Sequence, residues 1–175
     1  NYYEPNPRIN IFGQGLPYIA GALEKAGHEV FGINLSYQYC GLSAKGKLRD
    51  LMVKAIAEYQ PDLIGTGGLS AEYACIRDTI GFARKYAPNT TVVLGGNILT
   101  YDREFIFEKL HPDFGIVGEA EYITPQLVEH LGGKRSIDQV ANVAHWVNGK
   151  PVYHPVIHPN ANLDDIPYPN YEIFN

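Results

Sequence analysis

Residues 62–70 read DLIGTGGLS and residues 91–97 read TVVLGGN. Each is a short apolar, β-branched run that stops on paired glycines, Gly67-Gly68 in one and Gly95-Gly96 in the other. The second run shows no polar alternation, which is the pattern of a strand buried on both faces. Such a strand needs helices above and below it. Between the two runs, Tyr73, Ile76, Ile80 and Ala83 recur at helical spacing until Pro88 closes the segment. Further out, residues 9–12 and 29–35 predict two earlier strands and residues 114–117 a later one. Leu16, Ile19, Ala20 and Leu23 mark a helix with Pro17 in its first turn and Gly27 as a left-handed cap. Leu48, Leu51, Ala55, Ile56 and Tyr59 mark a second, stopped by Pro61. Residues 102–110 and 124–131 predict two more. Strand and helix alternate throughout, so the expected fold is α/β, a doubly wound parallel sheet of about five strands with flanking helices.

That Rossmann-like or flavodoxin-like layout is expected to occupy residues 1–141. From residue 142 the texture changes. Residues 143–147 and 151–153 flank Asn148-Gly149, a strong short-range signal for a β-hairpin. The rest is extended and proline-punctuated, with Pro155, Pro159, Pro167 and Pro169 and no helical period. Residues 142–175 are therefore expected to form a hairpin and a linker or strap toward a further domain. The chain starts Asn1-Tyr2-Tyr3-Glu4 without Met, and reads as a piece of a longer protein.

The 175 residues are 45% hydrophobic and 19% charged, enough to bury a core. No run approaches the roughly 18 apolar residues of a membrane helix. A net charge of −5 with no basic stripe speaks against nucleic-acid binding through phosphates. The two cysteines, Cys40 and Cys75, are far apart and form no CxxC. With no leader-like start, they suggest a reducing, cytoplasmic setting.

In a doubly wound sheet, ligands bind beyond the carboxyl ends of the strands. The loops there are Gly13-Gln14-Gly15, Thr66-Gly67-Gly68-Leu69-Ser70, Gly95-Gly96-Asn97 and Gly118-Glu119-Ala120-Glu121. Glycine in such turns serves either the turn geometry or the close approach of a ligand. Four glycine loops together suggest a large, flat ligand along the sheet edge. A dinucleotide fingerprint fails, because Tyr18 replaces its third glycine and Asn34 its ribose-binding acid. No P-loop, nucleophile elbow or Ser/His/Asp set is present.

The loops resemble the cobalamin-binding domain of methyltransferases and mutases, whose motifs are D-x-H-x-x-G, S-x-L and G-G after successive strands. Leu69 and Gly95-Gly96 match, Gly67 stands in place of the serine, and Gly15 closes the first motif. Asn10 stands for the aspartate and Phe12 for the cobalt-ligating histidine. The closer resemblance is to the cobalamin-binding domain that precedes a radical-SAM domain. Its helix G-L-x-Y-I-A ending in A-G-H-E-V is matched by residues 15–20 and 26–30, and its G-E-x-E by residues 118–121. The resemblance implies a corrinoid bound without a histidine ligand, touched by Phe12, Gly13, Gln14, Gly15, Leu16, Asn97, Gly118 and Glu119. The nucleotide tail is expected near Gly67, Gly68, Leu69, Gly95 and Gly96, with Thr66 and Ser70 bonding its phosphate, ribose or amides. The cluster motif C-x-x-x-C-x-x-C is absent, so a 4Fe-4S cluster, S-adenosylmethionine and the radical-SAM barrel are expected downstream.

Two other readings stay open: a degenerate domain that acts as an interaction or scaffold module, and a flavodoxin-like module for another nucleotide. His28 reads as surface, on the wrong edge for the site. His154 and His158, four apart around Pro155, are a weak metal pair. Glu119 and Glu121 at a helix start favour its dipole.

Overall fold

A computed structural model describes residues 13–34, 44–157 and 163–174. Five strands form one sheet in sequential order: β1 (Leu63–Gly67), β2 (Thr91–Gly95), β3 (Phe114–Ile116), β4 (Val143–Val147) and β5 (Lys150–Tyr153). β1, β2 and β3 are parallel, with Leu63 opposite Thr91 and Val93 opposite Phe114. The predicted hairpin joins the same sheet. β4 lies antiparallel on β3, with Ile116 opposite Val143, and β5 lies antiparallel on β4. Its turn residues Asn148 and Gly149 have φ of 50° and 75°, the paired positive values that a two-residue hairpin turn uses.

Helices α1 (Gly15–Lys25), α2 (Ala44–Tyr59), α3 (Tyr73–Tyr86), α4 (Asn97–Tyr101), α5 (Arg103–Leu110) and α6 (Ala120–Leu131) cover both faces. Strand alternation divides the core in two. Val92 and Leu94 point into a cluster with Leu48, Ile76, Ile80, Leu99 and Phe107, under α2 to α5. Val93 points into the other, with Ile116, Ile123, Leu127, Val140 and Val143, under α6. Phe107 is fully buried and stacks on Trp146 at 5.0 Å, tying α5 to the hairpin. Asp113 fixes the start of β3: its carboxylate accepts from the backbone N–H of Val92 at 2.7 Å and takes both arms of Arg84 at 2.9 and 3.0 Å.

Two elements differ from the sequence expectation. The helix expected over residues 102–110 is preceded by a separate turn of helix, α4, which starts straight after Gly96. Residues 28–34 are extended but carry no strand ladder among the described residues, and the segment expected beside them, residues 9–12, lies outside those described.

The strap at residues 163–174 lies back along α1. Lys25 Nζ donates to the Asp165 carbonyl at 3.1 Å, and the backbone N–H of Asn170 donates to the Pro17 carbonyl at 2.9 Å. It seats in two glycine notches. A Cβ at Gly21 would collide with the carbonyl oxygen of Tyr168, and one at Gly32 with the ring of Phe174.

The described histidines are engaged away from the glycine loops. His154 is buried, and its Nδ1 lies 2.7 Å from the Val140 carbonyl. A carbonyl only accepts, so Nδ1 carries the proton and Nε2 receives the Nε2–H of His145 at 3.2 Å. His154 thus pairs across the hairpin, and the alternative partner, His158, lies outside the described residues. Burial, then His154 and His130, push the His145 pKa below its usual 6.5, against a smaller opposing pull from Asp138. The native state then binds fewer protons than the unfolded one in this range, so stability is complete above pH 6.5 and falls as the pH drops through the native pKa. Urea midpoints measured from pH 7.5 to 5 are expected to decline below about 6.5, and His145→Gln to flatten that decline.

Candidate functional site

Three of the glycine loops meet at the carboxyl edge of the parallel strands. After β1 the chain turns at Gly68 (φ +153°), after β2 at Gly96 (φ +83°) and after β3 at Gly118 (φ +80°). Side chains other than glycine rarely adopt these values. The loops are bonded to one another. The Gly68 carbonyl accepts from the N–H of Ile98 at 3.0 Å, joining the first loop to α4. The Thr100 hydroxyl donates to the Gly96 carbonyl at 3.3 Å and accepts from the N–H of Gly118 at 3.2 Å, joining the second loop to the third. Helix α4, unforeseen in the sequence, exists to carry these two residues. No periodicity marks so short an element; the signal was Thr100 four residues after Gly96.

The sequence left two tasks open for these glycines, turn geometry or room for a ligand. The structure divides them. A Cβ on Gly67 would come within 2.6 Å of the Gly95 carbonyl, and one on Gly96 within 2.5 Å of the Gly68 nitrogen. These two let neighbouring loops touch. Gly95 is different: an added Cβ there meets only the Ile116 carbonyl, at 3.8 Å. Among the described residues, nothing lies within 4 Å of that position at Gly13 or Gly15.

Around this edge, Leu69, Ser70, Asn97, Gly118 and Glu119 are exposed and Thr66 is half-buried. Leu69 stands free on one side because its backbone N–H is held by the Glu72 carboxylate at 2.7 Å. Gly13, Gln14, Gly15 and Leu16 are exposed at the start of α1, and among the described residues no hydrogen bond joins them to the other three loops. Phe12 lies outside the described residues. Behind Gly118, Glu121 is partly buried in the first turn of α6, and that burial, with Glu119 beside it, raises its pKa. A cavity of about 350 Å³ borders the third loop, lined by Thr100, Asp102, Arg103, Val117 and Val156.

No nucleophile is activated here. Burial pushes the Cys75 thiol up to about 11, leaving it protonated. Among the described residues no group of three or more His, Cys, Asp or Glu side chains converges to hold a metal ion. No helix among them is long and apolar enough to cross a membrane.

Comparison with known proteins agrees with this geometry. The B12 binding domain family matches residues 11–128. An uncharacterized methyltransferase of Pyrococcus horikoshii is 28% identical over 161 residues, covering 91% of this chain and 33% of that protein. Cytidylyl-2-hydroxyethylphosphonate methyltransferase of Streptomyces wedmorensis is 26% identical over 212 residues, covering 97% of this chain and 40% of its own length. The chain thus spans between a third and two-fifths of these relatives. In fold it is similar to the radical S-adenosylmethionine methyltransferase TsrM of Kitasatospora setae, solved with tryptophan substrate and a SAM analogue (TM-score 0.73, 20% identity, 91% of this chain, 30% of that one). It is also similar to the cobalamin-dependent S-adenosylmethionine radical enzyme OxsB, solved with aqua-cobalamin and S-adenosylmethionine (TM-score 0.69, 16% identity, 93% of this chain, 22% of that one).

Replacing Thr100 by Val removes both hydrogen bonds between the second and third loops while keeping the shape. A loss of about 1–3 kcal/mol is expected in urea unfolding, together with faster amide exchange at Gly118. Gly96→Ala is expected to cost at least about 1–2 kcal/mol from its backbone conformation alone.

Proposed function

The chain belongs to the B12-binding domain family, and from that premise we propose that it holds cobalamin across its glycine loops, as part of a longer methyl-transferring or related radical-SAM protein. The observation that carries this is the unfilled space at Gly95, Gly13 and Gly15. Two of these glycines flank the start of α1, and the third lies between loops that are already closed on each other. A corrin is flat and ringed by amides, and such a rim offers close backbone approach with polar groups around it. The Gln14, Asn97, Ser70 and Glu119 side chains bond the amides, and the Thr66 hydroxyl meets the tail.

Phe12 stands where the family's histidine would, and a phenyl ring has no lone pair for cobalt. The described histidines support the same conclusion. His28, His111 and His130 sit where α1, α5 and α6 run out, and His145 and His154 bond each other. On this reading cobalamin would be bound without a histidine ligand, with Phe12 at the sequence position the ligating histidine would take. Bound cobalamin supplies a cobalt centre that carries a methyl group or shuttles electrons. With Cys40 and Cys75 as its only cysteines, the chain does not itself hold a three-cysteine cluster. The iron–sulfur cluster and S-adenosylmethionine belong to a barrel elsewhere in the intact protein.

A second reading, an interaction module that keeps the fold and binds no corrinoid, is favoured by Gly67 and Gly96, whose absent side chains the facing loops explain without a ligand. One substitution separates the two. Gly95→Ala meets open space and should leave urea stability unchanged, yet cut hydroxocobalamin affinity by at least about tenfold. The measurement is a visible-light titration followed by desalting. Retained corrin bands without a nitrogen-ligand signature, lost in Gly95→Ala, are expected. A nitrogen-ligated spectrum overturns the Phe12 assignment. A folded protein that washes colourless, both alone and in the full-length chain, overturns cobalamin binding and leaves the interaction module.

A further inference from the structure

We propose that the strap at residues 163–174 is a latch that positions the first turn of α1 for its ligand, with Asn170 as the positioning residue; this rests on the cobalamin reading of Gly13, Gln14, Gly15 and Leu16.

The first turn of α1 is poorly held by its own sequence. Gln14 occupies the N-cap with helical angles (φ −73°, ψ −26°) and makes no side-chain cap. Gly15 follows, the residue that loses most backbone freedom on ordering. The first N–H groups of a helix have no intrahelical partners, and among the described residues no Ser, Thr, Asp or Asn caps them. Support comes instead from about 150 residues further along the chain. The Asn170 backbone N–H bonds the Pro17 carbonyl in that first turn at 2.9 Å. Its side-chain Nδ2 donates to both Glu24 oxygens, at 2.9 and 2.8 Å, gripping the other end of the helix. Its Oδ1 accepts from the Glu172 N–H at 2.9 Å, which sets the strap's own turn. One residue, through its backbone N–H and its side chain together, therefore ties the strap to both ends of α1.

Apart from Phe174, whose ring is buried against Gly32, the strap buries little apolar surface. Tyr168 is 95% exposed, although its carbonyl sits in the Gly21 notch. A cavity of about 190 Å³ remains between strap, α1 and α6, lined by Ala22, Tyr122, Pro125, Ile166 and Pro167 among others. A segment held at a few polar points and one buried ring, over an unfilled gap, is a separable element, stable only while those points hold. Coupling between two such sites is reciprocal: what strap docking does for the ligand loop, ligand binding does for the strap.

The test places a like charge within the Asn170–Glu24 pair, in the full chain. Asn170→Asp keeps the Oδ1 acceptor and places a carboxylate against Glu24. Glu24→Gln combined with Asn170→Asp restores donor and acceptor in swapped positions. Amide exchange without ligand and hydroxocobalamin titration are read together. Asn170→Asp is expected to speed exchange in residues 14–25 and 163–174, spare β2 and α3, and weaken hydroxocobalamin binding about fivefold or more. The double variant is expected to recover both. Gly21→Ala, which evicts the Tyr168 carbonyl by bulk, should reproduce the effect if the aspartate variant folds poorly. Faster exchange confined to residues 163–174, with residues 14–25 and affinity unchanged, overturns the latch. Wild-type protein that takes up no hydroxocobalamin overturns the cobalamin reading instead, and the exchange of residues 14–25 still decides whether the strap holds α1.

Discussion

A single hydroxyl, that of Thr100, stands between the loops after β2 and β3, donating to the Gly96 carbonyl and accepting from the N–H of Gly118. Together with the bond from Ile98 to the Gly68 carbonyl it converts three independent turns into one continuous edge. Loops at the ends of parallel strands ordinarily vary independently of each other. Here they are close enough that backbone atoms touch where side chains would otherwise stand. That requirement dictates glycine at positions 67 and 96, and it dictates the short helix that carries Ile98 and Thr100. The paired clusters on the two faces of the sheet serve this arrangement by keeping the strand ends level. Asp113 does the same at the opposite edge, locking β3 to β2 through the Val92 N–H.

Much of this was legible from local pattern. Residues 91–94 are apolar and β-branched because Val92 and Leu94 meet one layer of helices and Val93 the other. Asn148-Gly149 predicted its turn through the φ values it permits, and Gly27 likewise, with φ +89° after α1. What stayed hidden depends on partners distant in sequence. The notch at Gly21 exists only because Tyr168 returns to it, and no periodicity within α1 announces a visitor. Spacing alone shows His158 four positions from His154; the contact of His154 with His145 arises only when the hairpin folds. The two tasks open to the glycine loops could not be told apart at Gly67 and Gly96 for the same reason: sequence shows that a side chain is missing, not what fills the gap.

The two halves of the edge are thus built on different principles. The loops after β1, β2 and β3 are rigid through mutual contact and would keep their shape whatever lay above them. The start of α1 has no such neighbours among the described residues, and lacks the capping side chain that would let it stand alone. Its support is polar, peripheral and drawn from the far end of the chain. A rigid wall facing an adjustable one accommodates a broad ligand without demanding that every contact be preset.

The hairpin has a further consequence. Without β4, the parallel strand β3 would end the sheet with a row of unpaired backbone groups, the kind of border that recruits a second molecule. β4 covers that border, and β5 becomes the margin in its place. It is only four residues long, begins with Lys150, and carries Pro151, which has no N–H to offer an incoming strand. The sheet is therefore finished chemically as well as geometrically on this side, and growth by strand addition, toward swapped dimers or fibrils, is discouraged there.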